Sequence, residues 1–176
     1  MDVEQVVLVD ERDREIGFAD KLEAHRDGGR LHRAFSIVLF NSRGEMLLQQ
    51  RSARKYHFGG LWTNACCGHP RRGEAVAEAA RRRLREELGV EAALTPAFHL
   101  VYTARDAGSG LTEREFDHVF VGQLGEAPRP DPAEIDALRW AEPGEIARDL
   151  AATPGRYTPW FAELLGRLPE LLAARS

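Results

Sequence analysis

Short runs of apolar and β-branched residues, separated by polar turns, predict strands along the first part of the chain. Residues 3–10 are rich in β-branched side chains and lead into a polar turn at 11–14. Residues 34–40 and 46–50 form two more strand-like runs, joined by Asn41-Ser42-Arg43-Gly44, which suits a hairpin connection. Residues 51–70 have little helical period and carry Gly59, Gly60, Gly68 and Pro70. They predict a long loop with short extended pieces, and ordered loops of that length are commonly functional. The period then changes. Val76, Ala80, Leu84 and Leu88 recur every four residues, with arginines and glutamates on the other faces, and predict a helix over 75–88. Gly89 follows at the place of a C-terminal cap. Residues 94–103 and 116–124 predict strands, with a flexible connection containing Gly108 and Gly110 between them. A proline-rich turn at 128–132, a late strand at 135–140 and a short helix at 143–150 come next. Thr158-Pro159 opens a last helix with a capping threonine and a proline in its first turn. Its apolar positions Phe161, Leu164, Leu165 and Leu168 keep helical spacing. Mixed strands and helices of this kind indicate an α/β sandwich, with helices against both faces of a mixed sheet, in one domain over residues 1–176.

Composition narrows the class of protein. With 43% hydrophobic and 30% charged residues over 176 positions, the chain matches ordinary globular proteins. A formal net charge of −4 argues against a general nucleic-acid or membrane binder, which usually carries a basic face. A small anionic substrate stays open, since it needs only a few converging cations. The start, Met-Asp-Val-Glu-Gln, lacks the basic region and apolar core of a secretory signal. No apolar run approaches the roughly 18 to 20 residues that span a bilayer. Cys66 and Cys67 are neighbours, a spacing that strains a disulfide, so both read as reduced thiols. The expectation is a cytoplasmic protein, a monomer or weak homodimer, with no nucleic-acid or membrane partner.

The predicted helix and the loop before it carry a pattern. From Gly68 the chain reads Gly-His-Pro-Arg-Arg-Gly-Glu-Ala-Val-Ala-Glu-Ala-Ala-Arg-Arg-Arg-Leu-Arg-Glu-Glu-Leu-Gly-Val. This resembles the Nudix signature, with Gly68, Glu74, Arg82, Leu84, Glu86, Glu87, Gly89 and Val90 in register. The resemblance implies a Nudix-type α/β/α sandwich whose helix carboxylates hold a divalent cation against a diphosphate, where hard oxygen ligands suit Mg²⁺. A solvated helix face would also carry such charges, but not in full register. One position departs. Where the hydrolases of that family carry Glu after Arg82, this chain has Arg83. That removes a carboxylate from the set used to cleave diphosphates and puts a cation there. Arg83 and Glu87 stand four apart, so a helix-surface ion pair is one reading. The other is that Arg83 grips the diphosphate while Glu87 touches its Mg²⁺.

That departure is shared by the type 1 isopentenyl-diphosphate isomerases, and further segments resemble the same family. Trp62-Thr63-Asn64-Ala65-Cys66-Cys67-Gly68-His69-Pro70 is similar to its cysteine motif, Glu113-Arg114-Glu115 to its glutamate motif, and Thr158-Pro159-Trp160 to its tryptophan motif. The resemblance implies a metal site of His25, His32, His69, Glu113 and Glu115. Residues two apart on a strand face one side, so both glutamates can reach one ion. Three nitrogens with two or three oxygens suit six-coordinate Mn²⁺ or Mg²⁺, or Zn²⁺ at an unusual number. It also implies that isopentenyl diphosphate gains a proton at C4 and loses one from C2 through a tertiary cation. Cys67 and Glu115 would flank the substrate, Cys67 as the C2 base and Glu115, assisted by Tyr102, as the C4 acid. Trp160 would turn its ring face to the cation, and Lys21, Arg51, Lys55 and Arg83 would receive the diphosphate. Tyr102 stands one residue further from Glu113 than is usual in the family, which implies an insertion within 106–110. Cys66 reads as a buried small residue, and His57, His99 and His118 match no ligand position.

Two other functions compete. A Nudix hydrolase of a nucleotide or other diphosphate ester is opposed by Arg83 and by the Cys67, His69, Glu115 set. A non-catalytic ligand-binding module would have lost the proton-handling residues, and both are present.

Overall fold

Side chains alternating along one central strand divide the core in two. A computed structural model describes residues 3–175. In chain order its first elements are β1 (Gln5–Val9), β2 (Glu15–Asp20), the one-turn α1 (Lys21–Ala24), β3 (His32–Phe40) and β4 (Met46–Arg51). There follow β5 (Trp62–Thr63), β6 (Cys66–Gly68), α2 (Val76–Leu88), β7 (Leu94–Arg105) and β8 (Thr112–Gln123). The chain ends with β9 (Ile135–Ala141), α3 (Pro143–Ala152), α4 (Pro159–Gly166) and α5 (Leu168–Arg175). Phe35, Ile37 and Leu39 of β3 point to one face, where α2 buries Ala79, Ala80, Leu84 and Leu88. Val38 and Phe40 point to the other, against Ile146 of α3, Trp160, Phe161 and Leu164 of α4, and Leu171 of α5. Burying a leucine such as Leu84 or Leu88 contributes about 1.5–3 kcal/mol. The helices thus cover both faces of a mixed sheet, as the apolar pattern predicts.

Pairing around β3 fixes the register of everything that follows. β3 runs parallel to β8 from His32–Glu115 to Phe40–Gln123, and antiparallel to β6 through Ser36–Cys67. β8 pairs antiparallel with β7, setting Tyr102 opposite Glu115. β4 carries β5 and β9 on its two sides, and β1 joins β3 at Leu8–His32.

Several elements depart from the pattern-based expectation. β2 exposes Ile16 and buries only Ala19, so it lacks a clear alternation, and α1 is too short to show a period. β8 begins at Thr112, ahead of the strand expected over 116–124, and its first inward positions are acidic, which hides them from an apolar count. The connection read as flexible is a tight turn, in which Asp106 accepts from the backbone N–H groups of Gly108 and Ser109 and from the Ser109 hydroxyl. The last helix does not run on through Leu168. It breaks at Arg167, because Pro169 has no N–H to give to the Leu165 carbonyl. Thr158 sits at the N-cap of α4, yet its hydroxyl donates to Thr63 Oγ1 at 2.8 Å instead of capping the helix. Gly89 does cap α2, at φ 63°, with its N–H on the Arg85 carbonyl. Among the described residues no helix is long and apolar enough to cross a membrane.

Gly68 ends β6 where α2 and β3 meet. A Cβ there would stand 2.7 Å from Phe35 Cζ and 3.2 Å from Arg83 Cγ. Gly68→Ala is therefore expected to cost roughly 1–3 kcal/mol in denaturant unfolding. An unchanged midpoint would show that Phe35 yields without cost.

Candidate active site

Strand register assembles the site. Glu113, Glu115 and Asp117 occupy alternate positions of β8, on the face that carries Val119 and Val121 into the α4 layer. The β3–β8 register sets His32 beside Glu115, and the β7–β8 register sets Tyr102 on its other side. His69, just after β6, reaches the same carboxylate with Nε2 2.9 Å from Oε1, while His32 Nε2 lies at 3.5 Å. The Tyr102 hydroxyl donates to Glu115 Oε2 and to Glu113 Oε2, the latter at 3.2 Å. The turn around Asp106 lies beyond the paired part of the hairpin, which closes at Arg105–Thr112. His25 follows α1, and its carbonyl accepts from the Thr112 N–H at 2.7 Å, which ties it to the start of β8.

These residues fit a metal ion. His32 Nδ1 bonds to the Arg30 carbonyl at 2.7 Å, which leaves Nε2 as the lone pair facing inward. That Nε2 stands 3.3 Å from Nε2 of His69. Ligands at right angles, each about 2.1 Å from an ion, stand about 3.0 Å apart. His25, His32, His69 and Glu115 are buried, with donor atoms within 4.8 Å of one another. His25 Nε2 and His69 Nδ1 are buried without a hydrogen-bond partner among the described residues. Burial alone would raise the Glu115 carboxyl, but hydrogen bonds and charge from His32 and His69 outweigh it and hold it well below the usual range.

Cys66 and Cys67 alternate on β6. Cys66 packs into the α2 layer, whereas Cys67 lies on the α4 side and faces the same pocket as Glu115. Two polar side chains flank its thiol. Asn64 Oδ1 lies 3.4 Å from Sγ, and the Asn64 amide is fixed by donating to the carbonyls of Ile37 and Cys66. Ser36 Oγ lies 3.5 Å from Sγ and donates to Asp117 Oδ2 at 2.7 Å. Burial pushes the Cys67 thiol up to about 12, with Asp117 adding to the shift and the Ser36 and Asn64 bonds opposing it. Burial likewise raises Asp117 well above the carboxylate range, helped by its neighbour Glu115. Neither Ser36 nor Asp117 stands out in the sequence. The one signal was position, since Asp117 continues the inward alternation of Glu113 and Glu115.

The pocket rim holds the expected cations, each engaged. Lys21 pairs with Glu4 at 3.0 Å and Lys55 with Glu134. Arg83 pairs with Glu87 at 2.5 Å, with Glu86 at 2.7 Å and with Glu134 at 3.5 Å. Glu4 and Glu134 were not expected at the site. Arg51 donates to the carbonyls of Phe58 and His57, both at 3.2 Å, and lies 5.8 Å from the Trp160 ring. Trp160 is held by Tyr102, stacked at 5.8 Å, and by Phe58, edge-on at 5.2 Å. Lys21, Arg51, Lys55, Arg83, Tyr102 and Trp160 all line this pocket, with Glu87 at its helix wall. His57, to which the sequence assigned nothing, packs its Nε2 against Glu113 Oε1. His99 stacks on Phe116 and His118 bonds to Asp13, away from the pocket.

The NUDIX domain family matches residues 30–161, so the layered fold and its carboxylate helix are those of a Nudix domain. A Deinococcus radiodurans crystal structure superposes with a TM-score of 0.76 at 27% identity, covering 93% of this chain and 98% of that one. A MutT protein from Methanosarcina mazei shares the fold at 18% identity and a TM-score of 0.66, covering 79% of this chain and 93% of that one. A Nocardia farcinica protein named isopentenyl-diphosphate Delta-isomerase is 54% identical over 160 residues, 91% of each chain. One of the same name from Halorhodospira halophila is 50% identical over 168 residues, 95% of this chain and 96% of that one. The chain belongs to the isopentenyl-diphosphate Delta-isomerase family of Nudix proteins.

Ser36 touches Cys67 and lies away from the cationic rim. Ser36→Ala is expected to lower kcat about 3- to 10-fold, the worth of one hydrogen bond, while leaving KM unchanged. Steady-state kinetics checks this, and an unaltered kcat would remove Ser36 from the positioning of the thiol.

Proposed function

We propose that this chain interconverts isopentenyl diphosphate and dimethylallyl diphosphate. The observation that carries the reading is a single pocket with Cys67, Tyr102 and Glu115 inside and Lys21, Lys55 and Arg83 at its rim. Proton-handling groups at the closed end and cations at the mouth match a substrate that is an alkene at one end and a diphosphate at the other. The alkene is unactivated, so an acid and a base must act on it in a site that excludes water. Glu115, with the Tyr102 hydroxyl donating to its Oε2, delivers a proton to C4. Cys67 Sγ, as the thiolate, removes one from C2. The reactive state thus carries Glu115 as the acid and Cys67 ionised, one proton having passed from thiol to carboxylate relative to the resting site. Asn64 and Ser36 hold that thiol in place meanwhile. The Trp160 ring faces the tertiary cation formed between the two steps, an attraction worth about 0.5 to 2 kcal/mol.

At the other end, Lys21, Lys55 and Arg83 exchange their carboxylate partners for phosphate oxygens, and Arg51 adds charge from below. Glu87 receives the Mg²⁺ that accompanies the diphosphate. Mn²⁺, Mg²⁺ or Zn²⁺ held by His25, His32, His69, Glu113 and Glu115 would supply a fixed positive charge that sets the acidity of Glu115. A monomer or weak homodimer working in the cytoplasm is part of the same proposal.

Metal-loaded protein is expected to convert isopentenyl diphosphate to the allylic isomer and to lose that activity on chelation. Cys67→Ala should abolish turnover with folding and metal content intact. Glu115→Gln should impair both metal content and turnover. Substantial turnover by Cys67→Ala would remove the thiol from the mechanism, and normal metal content and rate in Glu115→Gln would refute its double role.

A further inference from the structure

Lys21, Lys55 and Arg83 each already hold a carboxylate, and one of those carboxylates engages two of the cations. Glu134 lies against Lys55 Nζ through Oε2 and stands 3.5 Å from Arg83 Nη2 through Oε1. It lines the pocket together with both partners. Its backbone is tied to the loop that brings Lys55. The Glu134 carbonyl accepts from the Ser52 N–H at 2.9 Å, and the Lys55 N–H donates to the Ser52 carbonyl at 3.0 Å. Both ends of the ion pair are thus set by linked backbone, unlike a chance meeting of two surface side chains. The carboxyl is ionised at neutral pH. Burial would raise it, but the bond and charge of Lys55, with Arg83 and Lys21 beyond, hold it below the usual range.

Two roles could explain a carboxylate among cations that receive phosphate. One is ligation of the Mg²⁺ that comes with a diphosphate. The geometry opposes it. Arg83 Nη2 touches both Glu134 and Glu87, lying 2.5 Å from Oε1 of the latter, so an ion bridging the two carboxylates would need the place of the guanidinium. The other role is competition. A phosphoryl oxygen that reaches Lys55 must take the place of Glu134 Oε2, and one that reaches Arg83 Nη2 must take that of Oε1.

We infer that Glu134 is a resident counter-ion of the diphosphate site, which every incoming anion must displace. This rests on the diphosphate reading above and deepens it. The displacement costs the same for all anions. A lone phosphate replaces one carboxylate on Lys55 and Arg83 and gains little beyond it. A diphosphate places one group there and carries a second towards Lys21, so its extra contacts offset the displacement. Glu134 therefore sets a threshold of charge, above which a diphosphate binds and below which a single phosphate does not. It also returns to the cations as a product diphosphate leaves, which limits how tightly that product is held. Glu4 plays the same part towards Lys21 more weakly. Its side chain is 57% exposed against 26% for Glu134, and solvent screens the pair.

Calorimetric titration of the whole chain with inorganic pyrophosphate and with inorganic phosphate, each with and without Mg²⁺, tests this in wild type, Glu134→Gln and Glu4→Gln. Glutamine keeps the side-chain length and an oxygen for Lys55 and removes only the charge. Glu134→Gln is expected to tighten both anions by a common factor of about 3- to 30-fold, the scale of one charge-assisted contact, with Mg²⁺ or without it. Glu4→Gln should tighten them by about 3-fold or less. Unchanged affinity in Glu134→Gln would overturn the proposal. Weaker binding confined to Mg²⁺-containing buffer would overturn it too, by making Glu134 a ligand of that ion. Weaker binding in both buffers would do the same, by making it an organiser of Lys55. Pyrophosphate bound by neither wild type nor variants would overturn the diphosphate site itself, and with it the reading on which the proposal stands.

Discussion

Glu113, Glu115 and Asp117 lie side by side on one face of a buried strand, and the rest of the site is arranged around that constraint. A carboxylate taken out of water costs several kcal/mol unless partners replace its hydration. Each of the three is met differently. Glu115 takes two imidazoles and a phenol, Glu113 takes His57 and the same phenol, and Asp117, among the described residues, takes only Ser36. The outcomes diverge accordingly, with Glu115 held far below the carboxylate range and Asp117 pushed far above it. A cation among the histidines would complete the compensation for Glu115. The third, its carboxyl pushed up by burial, reaches the Cys67 thiol through one hydroxyl.

The Nudix fold supplies the frame but does not dictate the reaction. Its helix still presents Glu86 and Glu87, yet Arg83 ties up both carboxylates, at 2.7 and 2.5 Å. On the proposed reading, that pairing suits the helix to gripping a diphosphate and not to cleaving it. The chemistry, on the same reading, moves to the sheet, where β6 and β8 offer a thiol and a carboxylate to the same pocket. The β3–β6 and β3–β8 registers bring these two strands together around β3, so one strand sets the position of both.

Legibility in the sequence followed the physics of each element. α2 was readable because apolar spacing, charge and the Gly89 cap all agree. The first half of β8 was not, since its inward residues are acids and break the pattern that marks a strand. Cys67, His25, His32, His69, Glu113 and Glu115 were found by resemblance, and the fold brings them together. Ser36 and His57 carried no local signal, and Asp117 only its place in the alternation with Glu113 and Glu115. They matter through cross-strand register and a loop path, which spacing along the chain does not encode. The Pro169 break between α4 and α5 was visible in principle, but the leucine periodicity running through it masked the stop.

The most direct test follows ¹H and ³¹P resonances while metal-loaded protein acts on isopentenyl diphosphate in deuterated buffer. The account predicts dimethylallyl diphosphate with deuterium entering at C4 and the diphosphate intact. Free phosphate or pyrophosphate, with the double bond unmoved, would contradict it and return the chain to the hydrolases whose fold it shares.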